Sequence, residues 1–296
     1  MEQIKQLHLD LPRYISELRA SLHHFEIKRK IFQRFLRGKS FDFDGFRPYS
    51  IDDDAVSIDW KASVRANKLL VRQYREEVPM KIFFIVDVSE HMVFGSTEQL
   101  KCEYAASLVL SLADLIIRHN HKIGLVLFNE KITHYVPPQS GLLHFQRLVA
   151  LLSDPQHYFG DSRFDVAFDF VLNIFDSSIS AVILVSDFLT VHEPLRRSFG
   201  LLSDRFESIA IMVKDPLDIS LPSVSGEVFL EDPIHGQRLL IDPVLAQKQY
   251  VAHAREQTSV VESIFREKDI DMVTLYTNTS FVPELAQFLK ERVKNS

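Results

Sequence analysis

The chain has 296 residues, of which 46% are hydrophobic, with a formal net charge of -6 and a mean hydropathy of -0.02. That is enough apolar material for one large domain, alone or with an extension, and the charge excludes a general nucleic-acid binder, which needs clustered positive charge. A single cysteine, Cys102, excludes an internal disulfide and a thiolate zinc centre within one chain.

Residues 3–37 read as helical. Within them, Lys28, Arg29, Lys30, Arg34, Arg37 and Lys39 alternate with Ile27, Ile31, Phe32, Phe35 and Leu36 across 27–39. This basic amphipathic segment is expected to dock on the folded body through Ile31, Phe32 and Phe35; the rival is an anionic membrane surface. No apolar run nears the ~20 residues of a membrane span and Met1-Glu2-Gln3-Ile4-Lys5 starts no signal core, so a cytoplasmic location is expected. From Phe41 to Pro79 the chain is irregular and charged, with one strand near 69–74.

From Met80 onward strands and helices alternate. The pattern predicts a strand at 81–87, a helix over 97–119, a strand at 122–128 with a hairpin partner at 132–136, and helices near 142–152 and 163–175. A strand at 181–187, a helix over 193–203 and a strand at 208–213 follow. Then come a hairpin of 228–230 with 238–241, a helix over 244–268, a strand at 272–276 and a helix over 283–293. The runs at 83–86 and 181–185 lack polar alternation, the mark of parallel strands covered by helices on both faces. The expected fold is a doubly wound, mostly parallel α/β sheet over 79–296, preceded by a helical and irregular extension over 1–78.

Both runs end in an aspartate, Asp87 followed by Ser89, and Asp187. In such sheets ligands bind beyond the carboxyl ends of the strands, and carboxylates with hydroxyls there suit a hard divalent cation. Either aspartate could instead cap the turn that follows. The arrangement resembles the metal-ion-dependent adhesion site of von Willebrand factor A domains, Asp-x-Ser-x-Ser. Here that motif reads Asp87-Val88-Ser89-Glu90-His91, an imidazole standing where the second hydroxyl is expected. The hydroxyl of a later loop corresponds to Ser162, in Gly160-Asp161-Ser162-Arg163-Phe164. The expected metal residues are Asp87, Ser89, Ser162 and Asp187, with His91 as a further candidate. Magnesium or manganese would bind weakly, because magnesium demands a near-complete set of oxygens.

A longer segment is more specific. Arg47, Tyr49, Asp53, Asp54, Ile58, Asp59, Trp60 and Arg65 follow the order Arg-x-Tyr-x-x-Gly-Asp-Asp-x-Arg-x-Ile-Asp-Trp, then Ala-Arg. That order resembles the signature of domain of unknown function family 58, and the likeness continues through Val71, Tyr74, Glu76-Glu77, Gly95-Ser96 and Ser186-Asp187-Phe188. Asp52 and Val56 depart from it, standing where the signature has glycine and arginine. The resemblance implies an A-type fold and a partnership with MoxR-type AAA+ ATPases, beside which such proteins are commonly encoded, in maturing or remodelling other proteins. The acids of the segment are expected to cap turns and to pair with Arg47, Arg65 or Arg72, and Trp60, the single tryptophan, to be buried.

Motifs of catalysis are missing. No Gly-x-x-x-x-Gly-Lys-Ser/Thr loop, Gly-x-Gly-x-x-Gly turn or Gly-x-Ser-x-Gly elbow occurs, and neither His23-His24 nor His119-Asn120-His121 has the spacing of a helical zinc site. The residues favour a non-catalytic interaction protein whose partner is that ATPase or its client. The alternative is a metal-dependent hydrolase using Asp53, Asp54 or Asp187.

Overall fold

The computed structural model describes residues 7–23, 45–50, 58–73, 79–222, 224, 226–231 and 238–295. In chain order, β1 (Gly45–Pro48) and β2 (Leu70–Gln73) pair antiparallel as a two-stranded sheet. The main sheet takes β3 (Lys81–Asp87), β4 (Lys122–Phe128), β5 (Ile132–Gln139), β6 (Ala181–Ser186) and β7 (Glu207–Lys214). A separate hairpin, β8 (Val228–Glu231) with β9 (Arg238–Ile241), precedes the last strand, β10 (Asp271–Tyr276). The order across the main sheet is β10-β7-β6-β3-β4-β5. Every neighbouring pair is parallel except β4 with β5. The two runs without polar alternation are the two central strands, as their composition predicts.

Helices cover both faces, and each face buries its own set of side chains. Ile82, Phe84 and Val86 of β3 point to the face packed by the helices Lys101–Arg118, Leu142–Ser153 and Phe281–Asn295. Phe83 and Ile85 point to the face packed by Phe164–Ile174, Arg196–Arg205 and Pro243–Glu267. That second face is aromatic: Phe164 stacks on Phe188 with centroids 5.4 Å apart, and Phe265 meets Phe188 edge-on at 5.2 Å. Gly124 of β4 is required here, since a Cβ would lie 2.2 Å from the Phe83 ring, itself stacked 4.0 Å from Phe175.

The extension joins this body. Within the predicted helix over 3–37 the described residues are 7–23; Leu11–His23 are helical, whereas 7–10 are not and run to the helix as an irregular segment. Leu7 and Leu18 are buried in the first core face, and the His8 amide donates to Glu103 Oε1 at 2.7 Å. The basic segment 27–39 lies outside the described residues. The helix predicted over 97–119 begins later, at Lys101, because Glu103 Oε2 accepts from the Leu100 amide and fixes the start there.

The signature segment departs most from expectation. Asp59 caps the short helix Trp60–Ala66 by accepting from the Ala62 amide at 2.9 Å. Ser63 of that helix accepts from the Leu70 amide at 2.9 Å, and Ile58 bridges Val71, so the helix leans on β2. Trp60 is not buried; it is 65% exposed. Ser63 takes the side facing β2, whereas Trp60 and Val64, four residues apart, share the outward face. Arg65 is exposed and forms no ion pair among the described residues. Arg47 donates to the Pro48 carbonyl at 3.3 Å, and the Tyr49 amide donates to the Leu69 carbonyl at 3.0 Å. Asp53 and Asp54 lie outside the described residues.

Candidate functional site

From β3 the chain moves outward through β4 to β5, and from β6 it moves the other way through β7 to β10. The order therefore reverses between β3 and β6, whose carboxyl ends lie side by side with Val86 opposite Val185. Asp87 ends β3 and Asp187 follows β6, so the two aspartates meet where an open parallel sheet forms its binding crevice.

Asp87 is fully buried and surrounded by donors. Its Oδ1 accepts from the Ser89 amide at 2.9 Å, and its Oδ2 accepts from the hydroxyls of Ser162 and Ser186, each at 2.7 Å. Burial first, and then the nearby Asp187 charge, push the Asp87 carboxyl above its ordinary value, while the surrounding hydroxyls pull the other way. Ser89 is buried as well, and its Oγ lies near enough to Asp87 to help hold that charge, yet it makes no hydrogen bond of ordinary geometry among the described residues. His91 sits half-buried on the short turn Glu90–Val93 and is hydrogen-bonded to neither aspartate.

Asp187 is held differently. Its Oδ1 accepts from the Leu189 amide at 3.0 Å, and its Oδ2 pairs with Lys101 Nζ at 2.7 Å. Lys101 is 1% exposed; it also reaches Asp218 at 3.3 Å and lies 5.7 Å from the centre of the Phe94 ring. Burial draws the ammonium pKa down, but the Asp187 and Asp218 charges outweigh it, and the net shift is upward. Both aspartates thus also cap the turn that follows them, so the capping and site roles coexist. Phe188, buried next to Asp187, is held at φ +56 by its aromatic contacts, an uncommon conformation for a bulky residue that aims the loop.

The rim loops are fastened to each other. Glu90 accepts from the Gly160 amide and its own amide donates to the Gly160 carbonyl; Gly160 has φ +71, which suits glycine. Asn129 Nδ2 donates to the Phe159 carbonyl at 2.6 Å, and the Arg163 amide donates to the Asn129 carbonyl. At the end of β7, buried Asp215 accepts from the Ser96 amide and hydroxyl, the Leu217 amide and the Thr277 hydroxyl. Burial raises its pKa, but these donors outweigh burial and hold the carboxyl below its ordinary value.

As a set of donors for a divalent ion, the site fits only in part. Asp87, Ser89, Ser162 and Asp187 are all hard oxygen ligands, and Ser89 Oγ is free to bind. However, Asp187 Oδ2 is already committed to an ammonium. Among the described residues no group of three or more His, Cys, Asp or Glu could hold a metal. The ion does not fit beside Lys101 as it stands.

The sequence reading did not place Lys101, Asp215 or Asp218 in the site, and it named Ser186 only within the family likeness. Lys101 left no trace in the sequence, where the helix was expected to start at 97; in the structure it is the first helical residue, where a cation opposes the macrodipole and needs a compensating carboxylate. Cys102, beside it, is a core thiol whose pKa burial pushes up to about 12.

The strand order, with the aspartate-bearing strands adjacent at the reversal, is that of a doubly wound, mostly parallel α/β domain. The chain belongs to the family described as "Protein of unknown function DUF58", whose model matches residues 45–260. Uncharacterized proteins of Mycobacterium tuberculosis and Mycobacterium bovis are 26% identical to it over 253 residues, 83% of this chain and 78% of theirs. Solved structures with similarity include BatB from Bacteroides thetaiotaomicron (14% identity, 73% of this chain and 99% of that one, TM-score 0.48). The SpRpn10 VWA domain aligns with 10% identity over 74% of this chain and 96% of its own, TM-score 0.36. The fold assignment rests on the strand order, not on these scores.

Proposed function

We propose that this protein is a non-catalytic interaction module in the cytoplasm, and that it acts with a MoxR-type AAA+ ATPase in maturing or remodelling other proteins. It meets its partner with the loops around Asp87, Ser162 and Asp187, a degenerate adhesion site in which divalent cations bind weakly if at all. The observation that carries this reading is the state of the two aspartates: both are buried and each oxygen is engaged by a donor. A general acid, base or nucleophile must reach its substrate, and carboxylates held this way serve instead to shape a rigid rim. The exposed faces of that rim, including Phe159, Asp161 and Arg163, are what a partner would touch.

The test is binding of the purified MoxR-type ATPase of the same genome to the wild-type chain and to Phe159→Ser and Arg163→Glu variants, with thermal melts as a folding control. The reading expects binding by the wild type and at least tenfold weaker binding by folded variants. Undiminished binding by both variants would move the interface away from this rim. No binding by the wild type would remove the ATPase as partner.

A further inference from the structure

We propose that Lys101 is the resident cation of this site: its ammonium occupies the carboxylates that would otherwise serve a divalent metal, and it closes the site to one. The proposal deepens the reading of a degenerate adhesion site, but it concerns the cation alone and stands whether or not a partner docks on the rim.

Lys101 is buried to 1% exposure in a position that its own helix disfavours. A cation at a helix N-terminus opposes the macrodipole, and a buried ammonium is strongly disfavoured unless paired. Only the surrounding anions explain its placement. Asp187 lies 2.7 Å away and Asp218 3.3 Å, from two different loops at the carboxyl end of the sheet, and the Phe94 ring covers the ammonium at 5.7 Å. The Lys101 amide donates to the Phe94 carbonyl at 2.9 Å, which fixes that loop over the helix start.

The surroundings are also those of a hard-ion site rather than of an ordinary ion pair. Ser186 Oγ, one residue before Asp187, donates to Asp87 Oδ2, which places the second carboxylate in the same pocket. Ser89 Oγ is buried there with no hydrogen bond of ordinary geometry among the described residues. A buried polar atom left so is uncommon and asks for an explanation. Here it is a ligand position whose ion has been replaced by a tethered lysine that reaches Asp187 and Asp218 but not Ser89. One ammonium brings one positive charge and three donors, which suffices for Asp187 and Asp218 and leaves the serine over.

Removing the lysine should reopen the site to a hard cation, with Asp87, Ser89, Asp187 and Asp218 as the available oxygens. The probe is manganese alone, followed by calorimetry and by thermal melting of the full chain as wild type, Lys101→Ala and the double variant Lys101→Ala/Asp187→Asn. The wild type is expected to bind no manganese and to keep its Tm. Lys101→Ala should melt lower in chelator and gain roughly 5–10 °C at manganese a hundredfold above its Kd. The double variant should lose that gain, because a principal oxygen ligand is gone. If Lys101→Ala fails to fold in chelator, refolding in manganese should recover it. Manganese binding by the wild type as tight as by Lys101→Ala would overturn the proposal, as would a Lys101→Ala chain that neither binds manganese nor is rescued by it.

Discussion

The rim at the carboxyl ends of β3, β6 and β7 and the small unit of β1, β2 and the helix Trp60–Ala66 hide opposite things. The rim buries charge: Asp87, Lys101, Asp187 and Asp215 are at most 1% exposed. The small unit exposes apolar surface, with Phe46, Trp60, Val64 and Leu69 all open to solvent. Burying an ion costs several kcal/mol unless partners satisfy it, and the rim supplies those partners within itself. Trp60 and Val64 share one helix face, and exposed large apolar groups that adjoin are more often an interaction surface than an accident. The two regions therefore differ in what a substitution should do. In the rim it should cost stability; in the small unit it should cost little.

The sharpest test is Asp187→Ala. Among the described residues it leaves buried Lys101 paired with Asp218 alone, and removing one member of a buried pair costs ~3–5 kcal/mol. Equilibrium denaturation should show that loss with an unchanged m-value. A cost under ~1 kcal/mol would mean that the ammonium escapes to water and that the rim is not the closed network described here.

Asp215→Asn comes next. The amide would turn a donor toward Ser96, Leu217 or Thr277, each of which now donates to the carboxylate, and one clash of this kind costs about 1–3 kcal/mol. The pH dependence adds a sign. The folded Asp215 carboxyl lies below its ordinary 3.8, so its contribution is present above pH 3.8 and is lost as pH falls through the folded value. Asp87 acts in the opposite sense: its folded carboxyl lies above the ordinary 3.8, so its contribution is present below pH 3.8 and is lost as pH rises through the folded value. Acid titration of stability should thus be shallower below pH 4 in Asp215→Asn than in the wild type. An identical acid limb would show that Asp215 is not held ionised by its donors.

What the sequence disclosed follows the same division. Continuous apolar runs at 83–86 and 181–185 could only be strands covered on both faces, and an aspartate at the end of each had to emerge at the crevice. The partner of Asp187 could not be read, because a lysine on a predicted helix is ordinarily solvated, and with the helix start expected at 97 nothing placed Lys101 in the first turn. Trp60 misled for a related reason. Residue type gives an average burial, whereas the face that Trp60 presents depends on Ser63 and its bond to Leu70, a contact made seven residues further along the chain. Asp59 was expected to cap a turn and to pair with an arginine, and it does cap the helix Trp60–Ala66.

That role sets the size of the third effect. Asp59→Ala should cost at least about 1 kcal/mol, the usual loss for an N-cap; a buried ion pair would raise the loss to ~3–5 kcal/mol. Chemical denaturation separates the two values. A loss of the larger size would show that Asp59 also carries a buried charge interaction, which would make the small unit resemble the rim after all.

The smallest expected effect discriminates best between the two regions. Trp60→Ala removes a large side chain that is 65% exposed, so the fold should lose no more than about 0.5 kcal/mol. Truncating a buried tryptophan would cost about 3–5 kcal/mol. Because the chain holds a single tryptophan, its fluorescence reports on this unit alone. The folded wild type should emit as a solvated indole and be quenched by iodide nearly as well as the unfolded chain. Adding a partner that covers this face should shift the emission to the blue and slow the quenching, an effect that Val64→Asp, four residues along the same face, should weaken. An indole already shielded from iodide in the isolated protein would show that another part of the chain covers Trp60, and the contrast between a closed rim and an open unit would fail at its exposed end.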